Sequence, residues 1–217
     1  PAFCEKVAKW EAAGVAARWP AAGDEAWVGT PGMNACVKAM AETQDVRWGV
    51  RAERLERTPE GWRVDSGEQT FAAATVLVAV PAEQAAVLLA EFAPDFAALA
   101  GSVESAPCWA VMAGFEAPLG YVPDTFRSDS GPISWAARNS AKPGRAGAET
   151  WVIHASAARS RALIDAPKEE AAAALLADFF AAIGAAPAVP LHCDAHRWLY
   201  ALPQALAGEG ARFDAAL

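Results

Sequence analysis

The chain's 217 residues suffice for one large domain or two small ones with a sizeable core. Its net charge of −8 argues against a nucleic-acid backbone or an anionic membrane as main partner, because both demand a basic face. An apolar fraction of 54%, swollen mostly by Ala, excludes wholesale disorder, and no apolar run reaches membrane-spanning length. Cys4, Cys36, Cys108 and Cys193 form no C-x-x-C pair, which disfavours a zinc ribbon or a disulfide framework and fits a reducing, cytoplasmic compartment.

In chain order, "FCEKVAKWEAAG" reads as an amphipathic helix carrying Phe3, Val7 and Trp10 on one side and stopping at Gly14. "WPAAGDE" is a loop and "WVGTPGM" a turn-rich stretch. "NACVKAMAE" follows as a helix capped by Asn34. Two strand-like runs around "TPEG" predict a hairpin, and "TFAAATVLVAVP" predicts a strand buried on both faces and stopped by Pro81. Residues 82–99 read as helix with a break at Pro94. "CWAVMAGFE", "PISWAARN" and "TWVIHAS" are strand candidates. "PKEEAAAALLADFFAAIG" is the clearest helix, with Leu175, Leu176, Phe179, Phe180 and Ile183 as its buried side and Gly184 as its end. "HCDAHRWLYALP" supplies a last strand, and the remainder trails off as loop. Strands outnumber crossovers, so the expected fold is α+β: a mixed, mostly antiparallel sheet with helices on one face.

The sequence holds no G-x-G-x-x-G, Walker A, H-E-x-x-H or G-x-S-x-G segment. His154, His192 and His196 lie in strand-like contexts, where their spacing does not suit a metal, and no metal site is expected. Two strands stand out. In "PISWAARNSAKPGR", alternation sets Trp135, Ala137 and Asn139 on one face and Ala136 and Arg138 on the other. Lys142 and Arg145 then crowd a Pro-Gly turn, which reads either as a solvated basic turn or as the margin of a flat-ligand site oriented by Arg138 or Asn139. In "AHRWLYALP", His196, Trp198 and Tyr200 share a face opposite Arg197 and Leu199. Buried imidazole and phenol tips need partners, so that face reads as a pocket wall or as core.

In this order, "WVGTPGM", a hairpin leading to "VLVAVPAEQAAVLL", then "PCWAVMAGFE", "SWAARNSAKPGR", "ETWVIHAS" and "AHRWLYALP" resemble the bacterial renalase-like branch of the FAD-dependent amine oxidase superfamily. The resemblance covers nearly the whole chain. It implies a substrate domain on a mixed sheet, joined to part of a discontinuous FAD-binding α/β domain. Residues 1–30 would then be a substrate-domain helix and loop, 31–81 part of the FAD domain, 82–200 substrate domain and 201–217 a return segment toward the FAD domain. It further implies non-covalent FAD and hydride transfer to the flavin from a dihydronicotinamide isomer or an amine, with dioxygen as final acceptor.

Under this resemblance Trp135, Asn139, His196, Trp198 and Tyr200 line the substrate pocket. Gly32 and Met33 approach the flavin, and backbone near Ala52 and Val80 faces its adenosine side. No general acid or base is assigned. The family's G-x-G-x-x-G fingerprint and its "GDW"-type flavin segment are missing, and the stretch between Trp19 and Trp27 is shorter than its counterpart. The chain is therefore expected to be an incomplete piece that holds FAD weakly and is silent alone. The rival expectations are a flavin-free small-molecule binding module derived from the substrate domain, and a cysteine-based transferase acting through Cys108 or Cys193.

Overall fold

The computed structural model describes residues 2–120 and 122–204. The chain divides into two compact units, Pro1–Val46 with Cys108–Trp198, and Arg47–Pro107 with Leu199–Leu217. The trailing "ALAGEGARFDAAL" lies outside the described residues.

In the first unit, helix α1 (Ala2–Ala12) ends as predicted before Gly14, but none of its residues is buried. Phe3 and Trp10 contact each other edge to face at 6.5 Å. Next comes a hairpin that the sequence reading left as loop: β1 (Ala16–Arg18) pairs antiparallel with β2 (Trp27–Gly29). Helix α2 (Ala35–Ala41) forms where predicted, yet the Asn34 side chain makes no cap hydrogen bond. Its φ of −83° and ψ of 3° depart from the extended backbone that aims an N-cap side chain at the first turn.

The second unit carries a three-stranded antiparallel sheet of β3 (Arg54–Thr58), β4 (Gly61–Asp65) and β5 (Thr70–Ala73). The "TPEG" hairpin is its first turn. Helices α3 (Ala82–Leu89) and α4 (Pro94–Gly101) follow, with the expected break placing Pro94 at the start of α4. Leu55, Trp62, Ala85 and Ala93 form this unit's core, and Phe92 meets the Trp62 ring edge to face at 5.8 Å. The buried strand predicted through Val80 is corrected: pairing ends at Ala73, and Leu77 is 90% exposed. A strand dry on both faces needs a neighbour at each edge and a covering layer, and the described residues give this segment neither.

A five-stranded sheet contains β6 (Ser105–Phe115), β7 (Thr125–Arg127), β8 (Ile133–Arg138), β9 (Glu149–Ala155) and β10 (His192–Pro203), in the order β10-β6-β9-β8-β7, with residues 108–198 of it in the first unit. The β6–β9, β8–β9 and β7–β8 pairs are antiparallel. This is the expected mainly antiparallel α+β arrangement. Two short helices or strands escaped the sequence: β7, and α5 (Ala157–Ala162), whose first turn is capped by the Ser156 hydroxyl accepting from the Arg159 amide. Helix α6 (Lys168–Ile183) lies on one sheet face. Acidic Glu169 and Glu170 complement its N-terminal dipole, and Gly184, at φ 67°, ends it in the left-handed conformation.

Strand alternation decides what α6 covers. Trp151, Ile153 and Ala155 of β9, with Val111, Ala113 and Phe115 of β6, pack with Leu175, Phe179 and Phe180 in one core cluster. Phe179 is fully buried and stacks at 5.1 Å from Trp151. Phe179→Ala removes that ring from a site with no exposed edge. It should lower stability by about 3–5 kcal/mol, read as an earlier urea midpoint in the near-UV signal of Trp151.

Candidate functional site

The sheet face turned away from α6 carries most of the predicted pocket residues. On β8, Ala136 pairs with Ile153 of the core side, while Trp135 pairs with His154 and Ala137 with Val152. Trp135 and His154 therefore share the opposite face, and their rings lie 4.9 Å apart. On β10, Ala195 belongs to the core cluster, Cys193 packs against it, and Arg197 lies over the Trp109 ring and donates to the Ile164 carbonyl. The alternate residues His196 and Trp198 thus look away from α6, on the same face as Trp135. Their rings touch at 4.4 Å, and Trp198 is 56% exposed.

The predicted pocket residues fall into two groups. Trp135 and Asn139 belong to one cluster at the β8 end, and His196 and Trp198 to another on the outermost strand. Strands β9 and β6 separate them, a span of roughly 14 Å at the usual strand spacing. Between them lie His154, the buried Ala110 and the partly exposed Met112. Tyr200 follows two residues beyond Trp198 on β10, in the second unit, and is 41% exposed. Arg138, a candidate for orienting a ligand, is instead held by Asp124 at 3.1 Å and Glu149 at 3.6 Å. An apolar groove lined by Phe115, Leu119, Pro187 and Val189 contains none of the predicted residues.

The basic turn is where the sequence reading changes most. Lys142 is only 5% exposed, so it is no solvated turn residue. Its ammonium lies 5.3 Å from the Trp19 ring and 5.8 Å from the Trp135 ring. The same ammonium donates to the Asn139 side-chain oxygen at 3.4 Å, and Arg145 donates to that same oxygen. Arg145 also grips the Pro31 carbonyl at 3.0 Å and the Gly29 carbonyl at 3.5 Å. No carboxylate among the described residues pairs with either cation. Burial, with the Arg145 charge beside it, pulls Lys142 down to about 8, and burial followed by the Lys142 charge pulls His154 down as well. Lys142, His154 and Trp19 are functional candidates that sequence pattern alone did not rank; the signal was the "NSAKPGR" run itself.

Of the predicted cofactor residues, Gly32 is half-buried and Met33 is 53% exposed in the first unit. Ala52 and Val80 are exposed in the second. The cysteines do not look like nucleophiles. Burial pushes the Cys108 thiol up, and burial with the Asp194 charge does the same to Cys193, whereas a reactive thiolate needs the reverse. Among the described residues no helix is long and apolar enough to cross a membrane.

Comparison with known proteins fits this geometry. The family model for flavin containing amine oxidoreductases matches residues 20–213. The chain belongs to that family, whose members use FAD. Its fold is similar to that of cyclohexylamine oxidase from Brevibacterium oxydans IH-35A, with a TM-score of 0.64 and 15% identity over 81% of this chain and 40% of that one. It is similar to putrescine oxidase bound to putrescine, with a TM-score of 0.58 and 18% identity over 78% of this chain and 38% of that one. A protein of Exiguobacterium sp. 255-15, provisionally named a protoporphyrinogen oxidase, gives a TM-score of 0.66 at 14% identity over 84% of this chain and 42% of that one. The chain thus spans about two fifths of the length of these solved structures.

The buried lysine makes a signed prediction about stability. Its folded-state value of about 8 lies below its ordinary 10.5, so between these values the unfolded chain binds the extra proton. Wild-type stability should therefore gain from this group as pH rises from about 8 to 10.5. The comparison is the difference in urea midpoint between wild type and Lys142→Met across that window, which should widen in favour of wild type; a pH-independent difference would remove the lysine from the account.

Proposed function

We propose that this chain is the substrate-binding part of a renalase-like FAD-dependent oxidase, one that moves hydride from a dihydronicotinamide isomer or an amine to flavin and then electrons to dioxygen. The observation that carries the reading is the aromatic sheet face opposite α6, with Trp135 and His154 on one side and His196 and Trp198 on the other. Flat heterocycles are recognised by ring stacking and a few polar tips, and this face offers both. Exposed Trp198 and Met112 have apolar surface to give a ring, and His196 and Asn139 have polar tips to orient one.

The fit to FAD differs along the cofactor. The 217 residues hold no G-x-G-x-x-G turn, so they provide no cradle of that kind for the pyrophosphate. The ring end fits better: Gly32 presents backbone without a side chain next to exposed Met33 in the first unit. Gly32 and Met33 are assigned to the ring, and Ala52 and Val80 to the adenosine side. Bound FAD would supply the two-electron chemistry; these side chains position the donor and exclude water from it. Tyr200, in the second unit, is also assigned to the substrate. Residues 31–81 are assigned to the FAD-binding part, and residues 1–30 and 82–200 to the substrate domain.

The test uses the protein expressed from its complete reading frame. It should be yellow, and its flavin absorbance should bleach anaerobically on adding an isomeric dihydronicotinamide or an amine, and return with air. Trp198→Ala should raise KM for that donor roughly tenfold, the loss of one good ring contact, while sparing flavin content. A folded but colourless protein that still binds such heterocycles would replace the oxidase with a flavin-free binding module.

A further inference from the structure

We infer that Lys142, Arg145 and Thr30 form a binding site in the first unit for a small oxyanion, a phosphate or carboxylate group carried by a ligand. The argument begins with charge. Two cations converge on a single neutral oxygen, that of Asn139, with no carboxylate pairing either one among the described residues. The other faces that Lys142 meets are the Trp19 and Trp135 rings and the titratable His154. Indole faces attract an ammonium but do not neutralise it. Arginine keeps its proton at any ordinary pH, so the pair cannot discharge itself completely. A buried positive field of this kind is stabilised most directly by an anion.

Geometry adds a third donor. Arg145 holds the carbonyls of Gly29 and Pro31, which flank Thr30 in sequence. The Thr30 hydroxyl is buried and has no hydrogen-bond partner. Its methyl packs so near Gly144 that a Cβ there would come within 2.5 Å, and Gly144 sits at φ +72°, so glycine alone lets the turn close over Thr30. An orphaned hydroxyl on the residue whose flanking carbonyls Arg145 holds, together with a lysine–arginine couple that meets no described carboxylate, is a donor set an oxyanion satisfies: a point-charge ammonium, a planar guanidinium and one O–H. Arg145 is partly exposed and Pro31 exposed, which gives a ligand its approach, while buried Lys142 lies at the inner end.

The lysine itself is the reporter. In the purified protein with 13C-labelled lysine, the Lys142 resonance, assigned by its loss in Lys142→Arg, should titrate near 8 in anion-free buffer. Inorganic phosphate or formate should bind saturably and move that midpoint upward, toward the ordinary lysine value, with chloride as the ionic-strength control. Saturation by phosphate alone assigns a tetrahedral group, and saturation by formate alone a carboxylate; either supports the site. Arg145→Gln should weaken the saturable binding at least tenfold and Thr30→Val several-fold. Should either variant fail to fold, the wild-type titration decides by itself. A Lys142 midpoint that neither anion moves, or that chloride moves equally, overturns the proposal. The result does not depend on flavin, so it is separable from the fate of the oxidase reading.

Discussion

Everything in the first unit follows from one packing decision, the seating of α6 against the sheet. Leu175 and Phe179 press between Trp151, Ile153 and Phe115, and Ala171 and Ala172 keep the helix's first turns slim enough to approach closely. Because strands alternate, burying Trp151, Ile153 and Ala155 forces Val152 and His154 to the other side. The same register turns Trp135, His196 and Trp198 away from the helix. Apolar burial on one face thus positions polar and aromatic groups on the other, and a one-residue slip would exchange the two sets.

The freed face is treated unequally. At the β8 end, Trp19 and Val28 of the β1–β2 hairpin lie with Ala137, which is fully buried, and Trp135 packs against them. The small side chain at 137 permits that approach. At the β10 edge, Trp198 stays more than half exposed, and Met112 of the neighbouring strand β6 is 37% exposed. One end of the face is therefore a closed, charged cluster and the other an open apolar shelf. A ligand with a flat ring and an anionic group would find both kinds of surface on the same side of one sheet, which is how the two proposals become compatible without depending on each other.

How much of this was legible in sequence depends on how local its cause is. Helix α6 could be read because its caps and apolar spacing sit within its own residues, and strands β8, β9 and β10 could be read because alternation does. The facing of Trp135 and His196 followed from the same period. Strands β1, β2 and β7, at three residues each, are too short for any period to register. Lys142 failed for another reason: its burial depends on Trp19, more than a hundred residues earlier, and nothing in "SAKPGR" reveals that indole. The apolar run ending at Val80 misled in the opposite sense. Its composition describes a strand dry on both faces, whereas no described strand pairs with residues 74–80 and Leu77 is 90% exposed.

The Lys142 cluster also runs against stability, and that is informative. A methionine would fill the space between Trp19 and Trp135 without a desolvation cost, and exchanging buried charge for apolar packing is commonly neutral or favourable. Salt-bridge logic does not explain the arrangement, since no acid among the described residues faces it; elsewhere in the same unit, Arg138 has Asp124 and Glu149, and Arg159 has Asp178 at 2.7 Å. The fold therefore pairs Arg138 and Arg159 with acids and, among the described residues, leaves this lysine–arginine couple without a counter-charge. A chain of net charge −8 has acids in abundance, so what distinguishes this corner is their placement. Uncompensated charge held rigidly by neutral groups is preorganised for a ligand that brings the opposite sign, because no internal ion pair has to break before it binds.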